Sequence, residues 1–421
     1  MTIFEMSAIL TVIAAIFGYI NHRVIKLPSV IGLMTIASFF SLTLIFLKVI
    51  GISGVTNFIQ DNLSQIDLEN LVLEIMLPFL LFAGALHVNL NDLFNRRFAI
   101  FSFATISLLI SSFLIGVLIY FTSKLFGNPL PYVFCFLFGA LISPTDPIAV
   151  LGVMRKTQTP DSLKVKIVGE SLFNDGFGVV IFLIILRFSL GSAESDFDLM
   201  INLKSIALFL LQEVAGGILL GLIIGSIGYF AMKTIDDHGL EILISVALVI
   251  GSYSLSRNLH LSAPLTIVVV GLLIGNHGRH LAMSEQTRKN VDTFWELIDE
   301  LLNAILFLLI GFELVLLPFN QISLGSVLIV SLCAIPIVLF SRLVGIGAPI
   351  TILRSLGRQF STNAIRIITW AGLRGGISLA LALSIPEGKE RNSILIMTYT
   401  IVVFSILVQG LTLGRFLPKS S

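Results

Sequence analysis

Charge is what this chain of 421 residues has least of: Asp, Glu, Lys and Arg make up 12% of it, against 56% hydrophobic residues, and the mean hydropathy is +1.00. Water does not hold such a chain as a folded monomer, so a soluble enzyme or binding module is excluded and a polytopic membrane protein is expected. A basic run interleaved with aromatics is missing too, and the net charge is only +1, so nucleic acid is not an expected partner. Cysteine is nearly absent. Cys135 and Cys333 lie far apart in apolar stretches, where they read as small packing residues and not as a disulfide or metal pair. The opening residues, Met1 to Met6, lack the positive n-region and cleavage site of a signal peptide, so the first apolar run is expected to be retained.

What is present is a long series of apolar windows. Measured against a hydrocarbon core of about 30 Å, which takes about 20 helical residues to cross, thirteen helices are expected. They run over 7–22, 28–48, 71–87, 98–122, 131–154, 165–187, 205–232, 240–257, 264–276, 296–317, 324–353, 363–385 and 394–414, and are numbered 1 to 13 below. Of the 26 Lys and Arg residues, seventeen fall on one side of this series and seven on the other, while Arg342 and Arg374 sit within helices 11 and 12. Positively charged loops stay cytoplasmic, which predicts an external N-terminus and a cytoplasmic C-terminus. Loops are short throughout, so residues 1–421 read as one membrane domain with no soluble regulatory domain.

An odd count suggests six helices, a linker helix and six more, the inverted-repeat plan of secondary transporters. Helix 5 then pairs with helix 12. Both are interrupted: helix 5 by Pro144 and Pro147, helix 12 by Gly372, Gly375 and Gly376. Broken helices at matching positions of two halves point to a site at the membrane midplane. Gly217, Gly221 and Gly225 of helix 7, spaced by four, read instead as a close-packing row.

Polar chemistry concentrates at those interruptions. Pro147 lacks a backbone donor and Pro144 disfavours helix before it, so carbonyls around Ser143 and Thr145 lose their usual partners. Beside the carboxylate of Asp146 they form a hard-oxygen environment suited to a small cation. In helix 6, Glu170, Ser171, Asn174 and Asp175 share an arc of about 140°, and Asp175 lies about 15 Å along the helix, close to mid-bilayer. Three buried acids, Asp146, Glu170 and Asp175, thus face two buried arginines. Unpaired charges at that depth each cost about 2.5–3.5 kcal/mol, so pairing is close to obligatory. Two acids are matched and one carboxylate remains, to be neutralised by a proton or a metal cation.

These residues carry a resemblance. Leu27 to Gly32, Ser143 to Pro147, Gly169 to Gly176, Leu309 to Glu313 and Gly372 to Gly376 occur in the order found in Na+/H+ antiporters of the NhaP and sodium/proton exchanger type, the electroneutral branch of the cation:proton antiporters, which the chain resembles over essentially its whole length. The resemblance implies an all-α fold of thirteen helices with discontinuous, crossing helices 5 and 12, usually in a homodimer of the plasma membrane of the bacterial inner-membrane type. It implies a transporting core of helices 4–6 and 11–13 on a scaffold and dimer part made of helices 1–3 and 7–10. By this likeness Asn174 and Asp175 match the family's Asn-Asp pair, with Asp175 binding the ion and the proton. Ser171, the carbonyl of Thr145 and Asp146 are implied as further ligands of a transported Na+ or Li+, and no resident cofactor is implied. Glu170 is implied as a structural acid matched to Arg342, and Asp146 as lying near Arg374, although exchanging the two arginines leaves the mechanism unchanged. Asn174 where charge-moving relatives have Asp implies 1:1 exchange. One position departs: where many relatives have an acid in helix 3, this chain reads Phe82, Ala83 and Gly84, and Glu74 is a candidate substitute.

Rival readings remain at this point. Sites for different monovalent cations differ in size and ligand number, which spacing does not reveal, so K+/H+ exchange stays open. An intramembrane hydrolase is disfavoured: Ser171 as nucleophile has no buried imidazole to activate it, since all six histidines (His22, His87, His238, His260, His277 and His280) lie in loops or at helix ends, and an acid pair of Asp146 with Asp175 leaves the two buried arginines and the carbonyl cluster unexplained. A channel or sensor is a third reading. His277 and His280, beside Arg279, are a candidate metal or pH patch, and His238 a candidate pH sensor, although solvated loop residues are the simpler account.

Overall fold

The computed structural model describes the chain outside residues 1–2, 51–53, 55–56, 58–59, 61–66, 148–149, 152–153, 155–160, 192–198, 279–284, 318–323, 359, 361–362 and 418–421. Among the described residues every regular element is helical. This is the outcome hydrocarbon imposes, because each backbone N–H and C=O must find its partner within the segment that carries it.

Each of the thirteen expected stretches contains helix, but they are not equal. Nine helices among the described residues are long and apolar enough to cross a membrane by themselves, so the count of thirteen crossings is not fixed by length alone. Helix 5 is short, Tyr132–Ile142, as is helix 9, Ala263–Leu273 continued by a π turn over Ile274–Gly278. Helix 10 runs from Glu285 to Leu316, with all its charged residues but the buried Glu313 gathered in the first half. Helix 12 comes in two pieces, Ala364–Trp370 and Gly376–Leu383.

The largest core cluster collects Leu137, Phe138 and Leu141 of helix 5 with Leu379 to Ala382 of helix 12 and Ile394 to Met397 of helix 13. The two interrupted helices therefore lie inside the molecule. Large apolar side chains such as Phe39, Leu125 and Leu219 are exposed on the periphery, the arrangement expected of a surface that meets lipid acyl chains. Helix 7, Leu199–Lys233, lays its glycine row on helix 9: a Cβ at Gly217 or Gly221 would come within 2.9 Å of the Ser262 carbonyl or 2.7 Å of the Thr266 carbonyl. The row is a packing face. Cys135 is buried, Cys333 partly so, and both are free thiols.

Candidate functional site

Helix 5 stops at Ile142, and residues 143–147 run without helix. Ser143 Oγ turns back to the Gly139 carbonyl at 2.7 Å, while Pro144 and Pro147 deny the chain the donors that would continue the ladder. Helix 12 opens between Trp370 and Gly376 in the same way. The two breaks cross and answer each other. Asp146 N donates to the Leu373 carbonyl at 2.8 Å, and Arg374 Nη1 donates to the Pro144 carbonyl at 2.7 Å and to the Ser143 carbonyl. Arg374 N donates to Ser405 Oγ of helix 13 at 2.9 Å. The backbone groups freed by the breaks are thus met by the opposite break or by a neighbouring helix, as burial requires. The approach is close enough to need glycine: a Cβ at Gly375 would lie 2.1 Å from Asp146 Oδ2.

Helix 6, Asp161–Gly191, presents its polar arc to this crossing. Asn174 grips Thr145 twice, accepting from its N–H at 3.3 Å and donating from Nδ2 to its hydroxyl at 2.9 Å. The hydroxyls of Ser171 and Thr145 are 3.1 Å apart. Asp175 is 6% exposed, and Asp146 is the charged group that acts on it. Five of the residues singled out in the sequence, Thr145, Asp146, Ser171, Asn174 and Asp175, therefore meet at one place. Their carboxylate, hydroxyl and carbonyl oxygens are hard donors of the kind an alkali cation takes.

The two arginines divide the remaining work. Arg342 Nη1 pairs with Glu170 Oε1 at 2.7 Å, with the acid fully buried and the arginine 5% exposed, and Arg342 Nη2 also reaches the Ile368 carbonyl at 3.4 Å. Arg374, 1% exposed, spends Nη1 on the carbonyls of residues 143 and 144 and so holds the strand that leads into Thr145 and Asp146. Glu74 is not brought to the site. It pairs with Arg257, which is 62% exposed, at the far end of its helix, while Ala83 is buried with no acid beside it in sequence. His238 is exposed at the start of a helix, and His280 and the side chain of His277 lie outside the described residues.

Three contributors went unnoticed in the sequence: the Leu373 carbonyl, Ser405 and Gln409. Gln409 Nε2 donates to the Trp370 carbonyl at 3.2 Å. The available signal was a Gln one turn after a Ser in a helix whose other polar side chains are threonines and one tyrosine.

The family model for the sodium/hydrogen exchanger transmembrane region matches residues 11–419. The chain belongs to that family. This exchanger-family chain is 45% identical over 419 residues to the Na+/H+ antiporter NhaP of Pseudomonas aeruginosa, with 99% of this chain and 96% of that protein covered. It is 34% identical over 351 residues to the Na+/H+ antiporter NhaH of Halobacillus dabanensis, covering 83% and 82%. Its fold matches the solved structure of the sodium proton antiporter MjNhaP1 from Methanocaldococcus jannaschii at pH 8, with a TM-score of 0.76 over 98% of this chain and 97% of that one, at 19% identity. The overall fold is thus shared with that solved structure.

Proposed function

We propose that the protein is a secondary transporter that exchanges Na+ for H+ across the membrane, the two competing for Asp175. The observation that carries this reading is the buried Asp175 beside Asp146, Ser171 and Thr145 at the crossing of two broken helices. The names of the similar antiporters point the same way. Glu170 is answered by Arg342 and the helix 5 break by Arg374, and of the acids at the crossing Asp175 is the one assigned to exchange. A proton or one Na+ neutralises it. Carried bare through the bilayer centre it would cost about 2.5–3.5 kcal/mol, which slows uncoupled return by roughly a hundredfold. Only the loaded site changes sides, and exchange follows from that restriction. One proton then replaces one monovalent cation, without net charge movement.

The distribution of Lys and Arg supports an external N-terminus and a cytoplasmic C-terminus in a bacterial plasma membrane. Helices 4–6 and 11–13 form the moving core, helices 1–3 and 7–10 the scaffold, and two copies assemble through that scaffold. The test is a cation-induced ΔpH measurement in vesicles, with Na+, Li+ and K+ compared. Asp175→Asn is expected to abolish the response while the protein stays folded; undiminished exchange in that variant ends the proposal, and a response to K+ alone reassigns the cargo.

A further inference from the structure

Helix 13 lines neither the acids nor the hydroxyls of the site, yet two of its buried side chains bond to the backbone of helix 12 at its break. Ser405, fully buried, accepts from Arg374 N at 2.9 Å, and Gln409, 3% exposed, donates to the Trp370 carbonyl at 3.2 Å. The two residues open and close a single π-helical turn, Ser405–Gln409. Trp370 ends the first piece of helix 12 and Arg374 lies in the unwound stretch before the second. The pair therefore holds the break from both sides.

We infer that Ser405 and Gln409 are positioning residues for the cation site, helix 13 doing for the helix 12 break what Asn174 of helix 6 does for the helix 5 break. This rests on the antiport reading above. The route is short and every step is a hydrogen bond. Ser405 fixes the Arg374 backbone; the Arg374 guanidinium holds the carbonyls of Ser143 and Pro144, the two residues before Thr145; and the Leu373 carbonyl, one residue before Arg374, holds the N–H of Asp146. Two of the proposed ligands, Thr145 and Asp146, thus take their placement from residue 374 and its neighbour. A side chain with no contact to the cation still sets the geometry of its cage, and ligand cages need their donors placed to a fraction of an ångström.

Removing a mere packing contact lowers the amount of folded protein or the maximal rate. Removing a positioning contact moves apparent affinity. In proteoliposomes, Ser405→Ala is expected to raise the Na+ concentration for half-maximal exchange by about three- to tenfold, with the maximal rate within about twofold of the parent. Gln409→Met, close in volume and lacking the donor, is expected to shift the same parameter in the same direction by a smaller factor. An unchanged half-saturation with a lowered maximal rate in both variants overturns the inference and leaves the antiport reading standing. Failure of both variants to accumulate as folded protein assigns the pair to folding and overturns it too. A parent protein that moves no protons on addition of Na+ overturns the antiport reading and this inference with it.

Discussion

Glu170 and Asp175 sit on one face of one helix, five residues apart and both buried, yet their surroundings give them different tasks. Glu170 faces a guanidinium 2.7 Å away, whereas Asp175 faces another acid. Glu170→Gln leaves Arg342 without its charge partner in a dry interior, which costs about 3–5 kcal/mol for a buried pair broken on one side. Thermal unfolding in detergent should therefore show a clear loss of stability at least as marked as the loss of turnover; a normally stable but inactive variant would move Glu170 into ion handling. The acids were legible in the sequence because a charge inside an apolar run stands out. Their partners were not, since spacing puts Arg342 and Arg374 at similar depths and says nothing of which way each turns. Ser405 was hidden for another reason: serine is tolerated in membrane helices and carries no signal until its neighbour is known.

Between elements, helix 6 comes close to the helix 5 break: a Cβ at Gly178 would lie 2.2 Å from Pro144 Cγ. A proline ring has no rotamer by which to step aside. Gly178→Ala must part the two elements, and overpacking of this kind costs about 1–3 kcal/mol. The expected result is a lower melting temperature together with weaker cation binding, because Thr145 and Asn174 are bonded across the same gap; an unchanged melting temperature would show that the contact yields freely. The interruption of helices 5 and 12 was readable from Pro144, Pro147 and the glycines of 372–376. Helix lengths were less so. The helix 10 stretch of 296–317 proved to be the apolar end of a helix beginning at Glu285, because acidic and basic residues with good helix propensity continue a helix into water without an apolar signal.

For the molecule as a whole, class was fixed by composition, since so apolar a chain has no other place to fold. The proposed exchange at a single carboxylate bears on energetics. Moving one elementary charge through a potential is worth about 2.3 kcal/mol per 100 mV, so a transporter shifting net charge responds steeply to voltage. One that trades Na+ for H+ at Asp175 should run at the same rate with the membrane potential clamped at zero or left free. A severalfold difference between the two conditions would refute 1:1 exchange while leaving antiport intact.

The bonds that bind the two breaks have a mechanical corollary. The carbonyls of residues 143, 144 and 373 and the N–H of Asp146 are satisfied across the crossing, and parting them in a solvent of hydrocarbon would strand each at several kcal/mol. Helices 5 and 12 are therefore riveted at the waist. On the proposed antiport, such a joint is expected to tip or slide as one piece against its surroundings and not to open like a pair of doors, carrying the cation with its cage.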